Sequence, residues 1–298
     1  MTFRTPFSTA TFTARRACAA ALAATALALS GCASPAPESA STSSGATAES
    51  PYSHVHGISV DPGTKTILIA THDGLYDVTA QTPVKLSETI DLMGFSTKGS
   101  VLYGSGHPGK GSTLPEPVGL IKSVDNGKSW EQLSRQGESD FHALTTTASG
   151  LVGFEGKLLT TSDGVTWQEV GTQFQPAVLA GTPTSDVVLA TTQQGLLRST
   201  DSGKSWSPVP QAPLMQFISF AGAGENMATT MAGIAPDGAV YVSADAGLSW
   251  AKTGAISGEV ETITALETSP GKPTIWVATT AGVVVSTDSG ATFTPASR

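Results

Sequence analysis

Ser199-Thr200-Asp201-Ser202-Gly203-Lys204-Ser205-Trp206 is the stretch on which the fold turns. An Asp two residues after a Ser can accept backbone N–H groups inside its own turn. The Gly at the fifth position supplies a positive φ at little steric cost. The Trp returns on the next strand and places a large ring between neighbouring units. The pattern recurs at Ser123–Trp130, Ser243–Trp250 and Ser286–Phe293, and with one residue fewer at Thr161–Trp167. Its acidic residues are Asp125, Asp163, Asp201, Asp245 and Asp288. Its aromatic residues are Trp130, Trp167, Trp206, Trp250 and Phe293. Gly119, Gly156, Gly195, Gly238 and Gly282 precede the apolar strand before each copy. Gly74 marks a sixth unit without the Asp motif.

The motif resembles the BNR, or Asp-box, repeat, and that resemblance implies a structural role for these residues. A period near 40 residues with four short β runs per unit describes propeller blades. The expected fold is all-β: a six-bladed β-propeller of four-stranded blades with Asp-box hairpins between third and fourth strands. The blades should fall near 52–90, 91–138, 139–172, 173–214, 215–257 and 258–298. Second strands are expected at Thr66–Ala70, Val187–Ala190 and Thr274–Ala278, and a third strand at Gly119–Ser123.

Composition agrees. Of 298 residues 13% are charged and 32 are Gly, which suits short strands and tight turns and excludes a coiled coil. The net charge of -8 repels phosphate backbones, so no nucleic-acid partner is expected. The two cysteines, Cys18 and Cys32, both precede the repeats, which leaves no disulfide or Cys-based zinc site there.

The amino-terminal segment reads as an address. Arg4, Arg15 and Arg16 form a basic region, Ala17–Ala28 is apolar, and Leu29-Ser30-Gly31-Cys32 follows. A cleavable signal has this layout, and the apolar run is short for a membrane span. The tetrad resembles the lipobox of bacterial lipoproteins. That resemblance implies cleavage before Cys32 and lipidation of its sulfur, with export and anchoring on the extracytoplasmic face of the cell membrane. Residues 33–51 are rich in Ser, Ala, Thr and Pro without apolar periodicity, and read as a disordered tether. Residues 52–298 are the propeller domain. Beyond Cys32 remain 13 basic against 24 acidic residues, so lipid and not charge must hold the membrane.

All five histidines lie outside the Asp motifs. His54 and His56 begin the first strand of blade one, and His72 lies in its second-to-third loop. His107 is expected in the matching loop of blade two, inside a long insertion, 104–119, that could serve as a lid. His142 begins blade three beside Asp140, and Asp91 begins blade two. These places share one propeller face. His-x-His on a strand puts both side chains on one side, about 7 Å apart along the chain. His54, His56, His107 and His142 are the central candidates for a ligand or metal site, with His72, Asp91 and Asp140 beside them. Imidazole with carboxylate suits a divalent transition metal such as zinc, iron, copper or manganese.

The lipobox with His54-Val-His-Gly57, Asp91-Leu-Met-Gly-Phe95, Gly104-Ser-Gly-His-Pro108 and Asp140-Phe-His-Ala-Leu144 resembles a group of small bacterial lipoproteins labelled glycosylhydrolases or sialidase-like BNR proteins. By repeat alone the chain also looks like the photosystem II assembly factor propellers. Sialidases grip a carboxylate with three Arg. After Cys32 this chain has only Arg135, Arg198 and Arg298, none expected on the channel face. A glycosidase of another kind would draw on Asp73, Asp91, Asp140, Glu155 or Glu261. No Gly-x-Ser-x-Gly elbow is present. The expected function is therefore binding of a ligand, sugar or protein, by a monomeric surface lipoprotein, with glycoside hydrolysis as the alternative.

Overall fold

A computed structural model describes residues 52–222 and 229–296; the segments expected to be a leader, with Cys32, and a tether lie outside them, as does Arg298. The described residues form six antiparallel sheets of four strands and no helix. Each sheet uses strands contiguous in sequence. The blades span 55–85, 90–134, 143–170, 178–208, 217–255 and 260–295, and together they make a six-bladed β-propeller. The innermost strands, Val55–Val60, Ile90–Lys98, Ala143–Thr147, Val178–Thr182, Phe217–Phe220 and Val260–Ser269, adjoin one another around the ring, with blade six against blade one. The outermost strands of blades one, four and six have two residues each, which leaves little edge open to pairing.

Packing follows the ring. Six apolar clusters fill the six junctions between blades, one cluster to each. The repeated aromatic of each Asp turn enters the junction with the preceding blade. Trp250 packs with Leu189 and Leu196 of blade four, and Phe293 with Val240 of blade five. Blade one has no such turn. Its junction with blade six is filled by Trp276, 8% exposed, against Val55, Ile69 and Val78. Among the described residues no strand is shared across that junction, and side chains pack across it to close the ring.

The Asp turns repeat to within a few tenths of an ångström. The hydroxyl of Ser123 donates to Asp125 Oδ1 at 2.7 Å and accepts from the Gly127 N–H at 2.8 Å. Asp125 then accepts from the Ser129 N–H at 3.0 Å and hydroxyl at 2.6 Å. Asp201, Asp245 and Asp288 reproduce the set, and Asp163 a shortened form. Hydrogen bonds from Ser129 hold the Asp125 carboxyl down at about 2, and those from Thr292 do the same for Asp288. The turn glycine is required twice over at Gly247. Its φ is +82°, and a Cβ there would stand 2.3 Å from Leu189 Cδ2 in the blade behind.

Up-and-down sheets place these turns at one end of the propeller. The second-to-third turns and the connections between blades lie at the other end, with the histidines.

Candidate functional site

The innermost strands reach this second end through bulges. In blade one Val55 pairs with Thr71 and Gly57 with Ala70, so His56 is the extra residue. In blade six Val260 pairs with Thr279 and Thr262 with Ala278, so Glu261 is the extra residue. A bulge unpairs a residue and re-aims its side chain. His56 and Glu261, with His54 and His142, thus line the mouth of a central cavity of about 700 Å³. His54 precedes the strand. The two rings therefore do not stand a strand repeat apart. Their centroids lie 4.9 Å apart, edge to face.

His72 reaches the same place from the turn after Ile67–Thr71. That turn is held by Thr71, whose hydroxyl donates to the Gly74 carbonyl at 2.9 Å and accepts from the Asp73 N–H at 3.0 Å. The ring of His72 lies 4.5 Å from that of His56 and 6.0 Å from that of His54. The Nε2 atoms of His56 and His72 are 3.3 Å apart. Nδ1 of His72 donates to Asp91 Oδ1 at 2.7 Å. Nδ1 of His54 donates at 2.6 Å to Glu261, whose side chain is only 6% exposed. Burial, then the neighbouring His72 and His54, push His56 down to about 4. At neutral pH its imidazole is uncharged and has a lone pair to offer.

The second set centres on Asp140. Its Oδ2 accepts from His107 Nε2 at 2.9 Å and lies 3.2 Å from His142 Nε2, while Oδ1 is buried with no hydrogen-bond partner. His107 lies on the strand Val101–Pro108 and not in the loop expected from the sequence; the irregular segment begins only at residue 109. Its other nitrogen donates to Glu116 in that segment. The Glu116 hydrogen bond, opposed by burial and helped by Asp140, raises the His107 pKa. With both nitrogens donating, this imidazole has no lone pair for a metal. Asp91 and His107 are cross-strand partners, so the two sets adjoin.

The structure therefore divides the histidines that the sequence grouped together. His54, His56 and His72 with Asp91 and Glu261 form one set, and His107 and His142 with Asp140 and Glu116 the other. Three of the pairs cross junctions between blades: His54–Glu261 joins one to six, His72–Asp91 one to two, and His107–Asp140 two to three. Glu116 was not singled out from the sequence, and Glu261 entered only as one of five carboxylates. Asp73 accepts from the Ser53 N–H at 3.3 Å. Glu155 is held by Arg135 at 3.0 Å, which ties up that guanidinium. Arg198 donates to the Ala246 carbonyl. No Lys or Arg lines the cavity among the described residues.

A propeller with a histidine–carboxylate rim is the class that fold and site define. No family model and no curated protein matches the chain. Among solved structures it is similar to a GH74 enzyme from Niastella koreensis, with 17% identity and a TM-score of 0.57 over 82% of this chain and 37% of that one. A GH74 xyloglucanase from Xanthomonas campestris gives 15% and 0.55, covering 82% and 38%. YCF48 from Cyanidioschyzon merolae gives 11% and 0.51, covering 79% and 95%. The chain spans less than two-fifths of the GH74 enzymes. At these identities the likeness is one of fold.

Proposed function

We infer that this chain is an exported, lipid-anchored propeller that binds a ligand or partner at the histidine-rich mouth of its channel. One observation carries the reading. All five histidines of the chain meet carboxylates or one another on a single rim, and three of them, His54, His56 and His142, line a cavity large enough for a small ligand. The walls below offer hydroxyls from Ser59, Ser96, Thr145 and Thr264 and no cationic side chain. Such a lining suits a neutral, hydroxyl-bearing or cationic ligand better than an anion.

The binding test is an array of glycans and peptides probed with the lipoprotein and with a His56→Ala, His142→Ala pair. Loss of a specific signal in the folded pair supports the reading; an unchanged profile refutes it. Anchoring rests on Leu29-Ser30-Gly31-Cys32. A Cys32→Ser chain should leave the membrane fraction, and its retention there would remove the anchor from the proposal.

Glycoside hydrolysis is the second reading, suggested by the GH74 folds. A glycosidase needs one protonated carboxyl and one free carboxylate. Here Glu261, Asp91 and Asp140 each accept a hydrogen bond from a histidine. Release of reducing ends from xyloglucan or related glucans, abolished by Asp140→Asn or Asp91→Asn, would favour the enzyme instead.

A further inference from the structure

We propose that His56, His72 and Asp91 form a binding site for one divalent transition-metal ion, zinc or copper, at the mouth of the channel. The proposal rests on the rim as the binding region and gives it a first ligand. Donor atoms of these three residues all lie within 4.8 Å of one another. Two nitrogens bound at ~2.0–2.1 Å to one tetrahedral ion stand about 3.3–3.4 Å apart. His56 Nε2 stands at that separation, 3.3 Å, from His72 Nε2, and at 3.4 Å from its Nδ1, so a shared ion requires the His72 ring to turn and bring its Nε2 lone pair toward His56.

The orientation of His72 supports the same conclusion. Its Nδ1 donates to Asp91, which leaves the lone pair of the neutral ring on Nε2, clear of that carboxylate. Carboxylates that hold the far nitrogen of a metal-binding imidazole fix its tautomer and orientation in this way. Glu261 gives His54 the same support, and His54 lies beside the set with its ring 4.9 Å from that of His56. As the side chains stand, Asp91 steadies His72 from behind, with its oxygen inside the 4.8 Å span of the three donor atoms. The donor set is imidazole-rich with a single carboxylate, which favours zinc or copper over calcium or magnesium.

The site is particular to blade one, although its scaffold is not. Blades four and six build the same turn. Thr192 donates to the Gly195 carbonyl at 2.8 Å, and Thr279 to that of Gly282 at 2.8 Å. Where blade one has His72 they carry Gln193 and Thr280. His72→Gln therefore removes the imidazole from a turn already compatible with Gln.

The experiment uses the lipidated protein in detergent, without a His tag and stripped by chelator. Zinc and copper are titrated separately in competition with a chromogenic chelator. One equivalent should bind with Kd below about 1 µM, an affinity ordinary for such donors. His72→Gln and His56→Ala should each weaken it at least 100-fold, and Asp91→Asn about 10- to 100-fold. His107→Ala should change it no more than threefold. In parallel, zinc should perturb the imidazole NMR signals of His56 and His72 in wild-type protein and spare that of His107, a reading that needs no variant to fold. Absence of a stoichiometric site, or wild-type affinity in folded His72→Gln, overturns the metal. If array binding still depends on His56 and His142, only the metal fails; if that dependence is absent too, the rim as a binding region falls with it.

Discussion

The two ends of this propeller are built on opposite plans. At one end five blades repeat a turn of Asp, Gly and aromatic residue, with hydrogen bonds matching in four of them and shortened in the third blade. At the other end three blades carry all the histidines, and the turns equivalent to that of His72 carry Gln193 in blade four and Thr280 in blade six. Repetition suits a task that every junction shares, namely seating one blade on the next. Singularity suits a task needed once. The repeated end should be sensitive in stability and silent in binding, and the rim the reverse.

The largest effect should come from Gly247→Ala. Its positive φ costs about 1–2 kcal/mol for an L-residue, and the forced contact with Leu189 adds about 1–3 kcal/mol. Urea unfolding should show a loss near the middle of that sum. Gly271→Ala, with φ +70° and open space around it, should lose only the first part. Equal losses would mean that the turn does not press on the blade behind it.

Next comes Trp250→Ala, which empties a half-buried ring from the fourth junction and should cost about 2–3 kcal/mol. Zinc or ligand binding at the rim should persist in it at temperatures where it remains folded. A binding defect in the folded variant would blur the division between the ends.

A smaller effect is expected at Asp201. Hydrogen bonds from Ser205 lead in holding its carboxyl down at about 2. A lowered carboxyl stabilises above its unfolded value near 3.8 and loses that contribution as pH falls through about 2. Asp201→Asn should therefore unfold earlier than wild type at pH 7, and the two should converge as pH approaches 2. A gap that stays constant with acid would show that shape and not charge is what the turn uses.

The smallest change in stability should be that of His72→Gln, within about 0.5 kcal/mol in the metal-free protein. The rim's own contrast is read by proton NMR. His56 should titrate near 4 and His107 above 6.5, with Glu116→Gln bringing His107 back toward 6.5. The signs oppose each other. The contribution of His107 is complete below 6.5 and fades as pH rises through its raised value. His56 weakens the fold as pH falls from 6.5 toward 4, because the unfolded chain takes up a proton first. Coincident titrations would make the two sets one.

The propeller was legible because its signal is periodic. Steps of 37 to 44 residues between turn aromatics announce blades before any strand is assigned. Strand alternation placed the histidines at one end but could not pair them. Bulges at His56 and Glu261 break the alternation from which side-chain directions are read. Glu116 sits in an irregular segment with no period at all, and only folding brings it back to His107. Trp276, the one Trp outside the Asp turns, had no assignment from the motif and fills the junction that lacks a turn.

That junction has a consequence for how the ring forms and opens. Five junctions join blades that follow directly in sequence, and their contacts can form as each blade folds. The sixth joins residues about as far apart as His54 and Glu261, which are separated by 207 positions. Loop-closure entropy is thus concentrated in one place, and contacts of that separation form late. With no shared strand across it, the ring behaves like a bracelet with a single catch. His54 and Glu261 sit on that catch. Whatever draws the rim of blades one and six together also fastens the whole molecule, so occupancy of the mouth and integrity of the ring become two readings of one equilibrium.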